Sequence, residues 1–328
     1  MVTGAEWMAF GGFRYNQGWP ASFYIMPVSS SRYELLRKPL ARFTRTFRGV
    51  SKGHEKALHR ARVASRRLRE VLPVLQLDGD VTADLSRRLR KVTERIGPAR
   101  ELDVLLLQLD ELQQSGRFDP GSVSRVAAAV AKRRSAARER LLAKLPIGTL
   151  RRLAAKLTKI ADQLAKEEDV PVRSQAATRG WRWAIGARIA RRAASLKAAI
   201  DEAGSVYLPE RLHTVRVAVK KFRYAVELEH EISRDEKLTP HLRILTRNQE
   251  LLGRLHDRQL LIEQVRQVQA SSTPPDLGAW QRLDTLSTTL ENECRRLHAR
   301  YLRDATALVA VCERVPPRTP AAATRRAG

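Results

Sequence analysis

Hydrophobic residues recur every three or four positions along most of the chain, the spacing that gathers them on one face of an α-helix. Groups of Gly, Pro, Ser and Asp separate these stretches, as is typical of helix ends and turns. The pattern predicts helices at residues 31–48, 52–77, 80–116, 119–168, 176–203, 208–232, 236–270 and 276–313. Pro146 and Gly148 are expected to interrupt or bend the fourth of them. Because no stretch alternates as a β-strand does, the sequence predicts an all-α fold with four helices in each half.

The two ends of the chain lack this periodicity. Residues 1–30 combine aromatic residues with Gly, Pro and Ser and almost no charge, and we predict an irregular N-terminal extension there. Residues 315–328 are rich in Pro, Ala and Arg and are predicted to be a disordered tail. The helical domain is therefore expected to span residues 31–314, with a first half at about 31–168 and a second half at about 176–313.

Two predicted helices carry the same order of basic residues. The segment LHRARVASRRLR spans residues 58–69, and LHTVRVAVKKFR spans residues 212–223. At about 100° per residue, the basic residues of each segment lie within about 80° of one another, opposite the apolar ones. The first row comprises His59, Arg62, Arg66 and Arg69, and the second comprises His213, Arg216, Lys220 and Arg223. A solvated helix face usually mixes both signs of charge, whereas neither row contains a carboxylate, so anion binding is favoured.

The repeat continues into the next predicted helix of each half. IGPARELDVLL at residues 96–106 and LGRLHDRQLLI at residues 252–262 both place a basic residue, Arg100 or His256, before an acid and an apolar run. A further basic row in the first half comprises Arg88, Lys91 and Arg95, and its thinner counterpart comprises Arg243, Arg247 and Arg254. Since glycine inside a helix costs about 1 kcal/mol relative to alanine, Gly97 and Gly253 are expected to allow close helix packing or a kink.

The net charge of the chain limits the kinds of molecule that it is expected to bind. The chain has 61 Lys and Arg against 35 Asp and Glu, a formal net charge of +26. Such self-repulsion is tolerated most easily when a polyanion neutralises it, so nucleic acid, an anionic membrane surface and inorganic polyphosphate are the candidate partners. The sequence shows no signal peptide and no apolar run near the ~20 residues of a membrane span. Two cysteines do not indicate a disulfide framework, and we expect a soluble cytoplasmic protein.

Taken together, the motif His-x-x-Arg-Val-x-x-(Arg/Lys)-(Arg/Lys)-x-Arg, followed by Gly, a basic residue, an acid and an apolar run, occurs twice and resembles the CHAD family, the conserved histidine α-helical domain. The resemblance covers about residues 31–314. It implies two helical halves related by a pseudo-two-fold axis around a central basic cleft or pore that binds inorganic polyphosphate, and an association with cytoplasmic polyphosphate granules.

Carried onto this sequence, the resemblance places the two basic rows on opposite sides of the cleft. The complete set of candidate polyphosphate ligands is His59, Arg62, Arg66, Arg69, Arg88, Lys91, Arg95, Arg100, His213, Arg216, Lys220, Arg223, Arg247 and His256. We expect Asp257 and Glu101 or Asp103 to orient neighbouring arginines. The Glu-x-Glu-x-Lys strand of the triphosphate tunnel domain, to which many CHAD domains are fused, has no match here, so a stand-alone member is expected.

Other chemistries are disfavoured by the residues themselves. No clustered His-Asp pattern, metal-binding motif or nucleotide-binding glycine loop is present, so we expect no catalysis, no metal and no cofactor. Neighbouring cations should depress the pKa values of His59 and His213, which suits ligand contacts better than general bases. Non-specific nucleic-acid binding is the main alternative. The two rows lack the aromatic residues on which single-stranded bases stack, and a membrane surface is the weakest alternative because the apolar faces are needed for the core.

Overall fold

The computed structural model describes residues 31–168, 171–271 and 276–315, and within these ranges it describes all side chains except those of residues 171–179 and 181. The predicted extension at residues 1–30 and almost all of the predicted tail at residues 315–328 lie outside the described residues. The described part of the chain contains helices and no strand, as the hydrophobic periodicity predicts.

The helices follow one another through short connections. They are α1 (Arg32–Thr44), α2 (Phe47–Ser51), α3 (Glu55–Val71), α4 (Gly79–Gln114), α5 (Pro120–Lys144), α6 (Ile147–Glu168), α7 (Pro171–Ala203), α8 (Pro209–Ser233), α9 (Leu238–Ala270) and α10 (Leu277–Arg314), with a 3₁₀ turn at Leu72–Val74 after α3. None of the helices in the described ranges is both long and apolar enough to cross a membrane.

The first half of the chain contains six α-helices, so the predicted count of four is wrong there. The predicted helix at residues 31–48 is broken between α1 and α2, where the Thr46 hydroxyl donates a 2.6 Å hydrogen bond to the Phe43 carbonyl. The predicted helix at residues 119–168 is divided into α5 and α6 at the position marked by Pro146 and Gly148, as expected. Pro73 has no N–H to donate, and the chain passes from α3 into the 3₁₀ turn beside it. The second half has the four predicted helices.

Buried apolar side chains form two clusters, and each cluster contains residues from both halves of the sequence. The larger cluster includes Leu36 and Phe43 of the first half and Phe222 and Tyr301 of the second. The smaller one contains side chains from four helices, namely the C-terminal part of α4, the N-terminal part of α5, α9 and α10, such as Leu105, Val126, Val265 and Leu286. The two halves therefore share their cores instead of packing separately.

Helices α3 and α8, which carry the two basic rows, are held by their apolar faces. In α3 the buried residues are Leu58, Ala61, Ala64, Ser65, Leu68 and Val71, and in α8 they are Leu212, Val215, Val219, Phe222, Ala225, Val226, Leu228 and Ile232. Burying each large apolar side chain contributes about 1.5–3 kcal/mol. The two helices also meet directly, because Arg67 of α3 forms ion pairs with Glu227, at 3.2 Å, and with Glu231 of α8. This contact brings the two basic rows together.

Candidate anion-binding site

Basic side chains from four helices meet where α3 approaches α8. The pKa of Arg62 is lowered to about 10, first by burial and then by the positive charges of Arg66 and Arg216. Because Arg216 lies on α8, the interaction with Arg62 of α3 spans the two halves of the sequence. We call the assembled set the central group; it comprises His59, Arg62 and Arg66 of α3, Arg100 of α4, His213, Arg216 and Lys220 of α8, and His256 of α9.

Lys220 has the largest shift in this group. Its pKa is lowered from 10.5 to about 7, first by burial and then by the charges of Arg66, Arg216 and Arg62. A lysine in this setting is only partly protonated near neutral pH, because burial disfavours its charged form and the cations around it repel an added proton. A bound anion would reverse this effect and restore the full charge.

The three histidines of the central group are shifted in the same direction. Burial lowers the pKa of His59 to about 4, with Arg100 and Arg66 as the next causes. Burial likewise lowers the pKa of His256 to about 4, followed by the charges of Arg216 and His213. The rings of His213 and His256 lie 4.8 Å apart and tilted by 54°. The expected depression by neighbouring cations is present, although burial is the larger cause. Near neutral pH the imidazoles of His59 and His256 are therefore uncharged, and each has one N–H to donate.

Arg62 is held against α4. Its Nη1 donates a hydrogen bond to the Thr93 carbonyl oxygen at 2.7 Å, and a Cβ atom at Gly97 would lie 2.9 Å from the same nitrogen. The close packing expected at Gly97 is therefore confirmed, and the neighbour is the guanidinium of the site itself. At Gly253 nothing beyond its neighbours and its own helix backbone lies within 4 Å of the position that a Cβ would take, so close packing is not found there and the alternative of a kink stays a prediction.

Arg223 lies on the predicted row but is occupied by protein groups. Its Nη1 donates to Glu227 Oε1 at 2.5 Å and its Nε to Gln249 Oε1 at 2.9 Å. Its guanidinium also lies 5.1 Å from the centre of the Tyr224 ring. Glu227 thus joins Arg223 to Arg67 and holds α8 against α3, so the structure gives Arg223 contacts with the protein in place of a free guanidinium.

The candidate residues further along α4 and α9 are not brought into the central group by any contact in the described residues. Arg88 is exposed and paired with Asp84 of its own helix at 2.7 Å, while Lys91 and Arg95 are exposed. Arg247 is also exposed and paired with Asp304 of α10 at 2.8 Å. A periodic pattern places residues on a helix face without showing what that face opposes. The assignment of these four residues as ligands remains a prediction.

The acids near the site pair with arginines. Glu55 accepts a hydrogen bond from Arg100 at 3.3 Å, and the charge of Glu101 opposes the lowering of the pKa of Arg62. Asp103 is buried and binds Arg134 and Arg138 at 2.6 and 2.9 Å. The expectation that Asp103 orients arginines holds, but these arginines belong to α5 and were not among the predicted residues.

Arg69 belongs to a second group of cations, which the repeated motif did not predict as a group. Burial lowers its pKa, and the charge of Arg90 is the next cause. Burial also lowers the pKa values of Arg192 and Lys221, on which Arg69 acts as well. Lys221 directly follows Lys220, but Arg90 and Arg192 lie on other helices and outside the motif. No signal in the sequence pairs them with Arg69, because their proximity depends on helix packing.

The described ranges contain no candidate metal-binding site. No group of three or more His, Cys, Asp and Glu residues there could hold a metal ion. Cys294 and Cys312 are both buried as free thiols, with no disulfide between them.

Comparison with known proteins identifies the fold and the family. A sequence profile described as the CHAD domain matches residues 34–266. No curated protein matches the sequence significantly. Among solved structures, the crystal structure of the CHAD domain from the plant Ricinus communis is similar, with a TM-score of 0.60 and 19% identity, over 88% of this chain and 94% of that chain.

A second solved structure, PptA from Streptomyces chartreusis, has a TM-score of 0.53 and 17% identity, over 86% of this chain and 100% of that chain. At these identities the structural likeness shows the fold alone. The profile covers well over half of the sequence and includes both basic rows. The chain therefore belongs to the CHAD domain family.

Proposed function

We propose that the central group binds inorganic polyphosphate and that the protein does so without catalysis. The observation that carries this proposal is the convergence of cations from α3 and α8, which act on one another across the two halves of the sequence. Partly buried like charges without enough carboxylates to neutralise them destabilise the ligand-free state. A polyanion that bridges them would relieve that repulsion.

The chemistry of the group suits a chain of phosphates. Guanidinium groups form charge-assisted, often bidentate, hydrogen bonds to phosphoryl oxygens, and Arg62, Arg66 and Arg216 supply three of them. Lys220 adds a compact charge, and uncharged His59 and His256 can each donate one N–H. A polyphosphate chain would also release condensed counterions, if it behaves as nucleic acids do.

The duplication in the sequence supports a single shared site. We propose that α3 with α4 and α8 with α9 are the two copies of one unit, related by a pseudo-two-fold axis, and that the central group lines the cleft between them. The support comes from the contact of α3 with α8 and from the matching motifs on both helices. A single linear ligand would then contact both rows at once.

Nucleic acid is the competing ligand. Tyr224 is an aromatic residue beside the central group, close enough to Arg62 to influence its pKa. Its ring, however, is contacted by the guanidinium of Arg223, which would compete with a base for stacking on that face. This arrangement favours an anionic chain without bases.

A competition titration tests the assignment. Long-chain polyphosphate should displace DNA and RNA from the protein at equal phosphate concentration and about 150 mM salt. If either nucleic acid displaces polyphosphate instead, the nucleic-acid assignment replaces this one.

The non-catalytic part of the proposal has its own assay. Incubation with polyphosphate, tripolyphosphate or ATP and Mg²⁺ should release no more phosphate than a heat-denatured sample. Release that a single substitution in the central group abolishes would show that the protein is an enzyme.

We further propose that binding takes place in the cytoplasm at polyphosphate granules, which rests on the family and on the charge of the chain. A fluorescent fusion should co-localise with stained granules, and a variant with Arg216 and Lys220 replaced by Glu should not. Equal localisation of both proteins would contradict this.

A further inference from the structure

A second set of cations lies beside the central group. It comprises Arg69 of α3, Arg90 of α4, Arg192 of α7 and Lys221 of α8, and we call it the flanking cluster. Its members come from four helices, and Arg90 and Arg192 lie outside the repeated motif that contains Arg69 and Lys221. Arg69 connects the two sets, because both Arg90 and Arg66 of the central group act on it.

A groove between α7 and α8 supplies the geometry of this region. It is lined on the α7 side by Arg192, Ser195 and Ala199, and on the α8 side by residues that include His213, Val217 and Lys221. Because His213 belongs to the central group and Lys221 to the flanking cluster, one continuous groove reaches both sets. At the sides of the groove Lys221 is exposed and Arg192 is half-buried.

Glu70, one of two carboxylates near these cations, is already paired with an arginine. Glu70 accepts hydrogen bonds from Arg188 of α7, from Nη2 at 2.5 Å and from Nε at 3.1 Å, and both side chains are largely buried. The charges of Glu70 and Glu94 also act on Arg69, but the four cations of the cluster outnumber them. The groove therefore keeps an excess of positive charge that the described side chains do not neutralise.

We propose that the flanking cluster and the α7–α8 groove form a second phosphate-binding segment, so that a long polyphosphate chain occupies both this segment and the central group. The inference rests on the proposed function and adds chain-length selectivity to it. We expect tripolyphosphate, with only three phosphates, to bind mainly in the central group, where the cations are more numerous. Long chains gain the extra contacts within one molecule, which raises their affinity.

The test compares two double variants with the same loss of charge. Arg192→Gln with Lys221→Gln removes two cations from the groove and leaves the Glu70–Arg188 pair in place. Arg151→Gln with Arg152→Gln removes two exposed cations from α6 and serves as the control. Affinity for long-chain polyphosphate and for tripolyphosphate is measured by titration for each variant, and circular dichroism verifies that each has folded.

The groove variant should bind the long chain about tenfold more weakly than the control, with a smaller salt dependence, because two phosphate contacts are lost. Its affinity for tripolyphosphate should equal that of the control. Equal long-chain affinity in the two variants, or an equal loss for both ligands in the groove variant, would overturn the inference. A groove variant that loses RNA binding and keeps long-chain binding would overturn it as well. If the parent protein binds no polyphosphate, the proposed function itself is wrong.

Discussion

At the scale of single residues, Gly97 limits where the guanidinium of Arg62, a candidate polyphosphate ligand, can lie. Arg62 donates to the Thr93 carbonyl beside this glycine, and a Cβ there would come within 2.9 Å of its Nη1. Gly253 follows the second copy of the motif and has open space around its Cβ position. The two glycines thus form a natural pair of test and control.

Gly97→Ala should weaken polyphosphate binding severalfold, because the guanidinium of Arg62 must leave its position. Gly253→Ala should leave binding unchanged. Both changes replace glycine within a helix, so each should also gain up to about 1 kcal/mol of helix propensity. Titration with polyphosphate and thermal unfolding measure the two effects. Equal affinity for the two variants would show that the position of Arg62 is unimportant for binding.

We expect Lys220 to make polyphosphate binding depend on pH. Its pKa is about 7 in the folded protein against an ordinary 10.5, so it loses its proton as the pH rises through neutrality. A bound polyanion raises that pKa, so binding takes up protons and affinity should fall as the pH rises above about 7. The pH dependence of folding stability has the opposite sign to that of binding. Between about 7 and 10.5 the unfolded chain holds more protons at this residue, so its contribution makes the ligand-free fold more stable as the pH rises.

Lys220→Arg tests this directly, because arginine keeps its charge in this range. The variant should bind polyphosphate with a flatter pH profile from about pH 7 to pH 9, and calorimetry in two buffers of different ionisation enthalpy should show less proton uptake. The same profile in both proteins would assign the titration to other groups, such as His213 or the ligand itself.

At the scale of helices, α3 and α8 should contribute to one site. Arg62→Glu with Arg66→Glu reverses two charges on α3, and Arg216→Glu with Lys220→Glu does so on α8. Each double variant should lose most polyphosphate binding, since each leaves anionic side chains within the shared group. Arg151→Glu with Arg152→Glu changes the net charge equally on exposed α6 and should retain most of the affinity.

Affinity is measured over a salt series to distinguish lost phosphate contacts from a change in net charge alone. Each lost phosphate contact reduces the salt dependence by up to about one unit of slope. Circular dichroism must show parental helicity first. If reversal on one helix abolishes binding and reversal on the other has no more effect than the α6 control, the two rows do not share one ligand.

At the scale of the whole molecule, the two halves of the sequence depend on each other. Both apolar clusters draw side chains from each half, and the ion pairs of Arg67 join α3 to α8. We expect residues 31–168 alone to remain unfolded or to form a loosely packed state, because separation exposes the apolar faces that the other half covers. The intact protein should unfold in one transition. Calorimetry and circular dichroism check this, and a stable isolated half or two separate transitions would contradict it.

The amino-acid sequence was sufficient for the features that depend on one helix at a time. Apolar spacing predicted the all-α fold and nearly all the helix positions, and Pro146 with Gly148 marked the division of α5 from α6. The same periodicity placed the two basic rows opposite the buried faces. These predictions succeed because the helical repeat assigns each residue a direction from its position in the chain alone.

Tertiary structure decided which of those residues meet. Packing of α3 against α8 assembled the central group and placed Glu227 between Arg67 and Arg223, and the packing of α4 and α7 brought Arg90 and Arg192 near Arg69. The break between α1 and α2 accompanies the burial of Thr46, whose hydroxyl donates to the Phe43 carbonyl. Charges, hydrogen bonds and burial act over a few ångströms in space, so partners far apart in sequence become visible only when the helices are packed together.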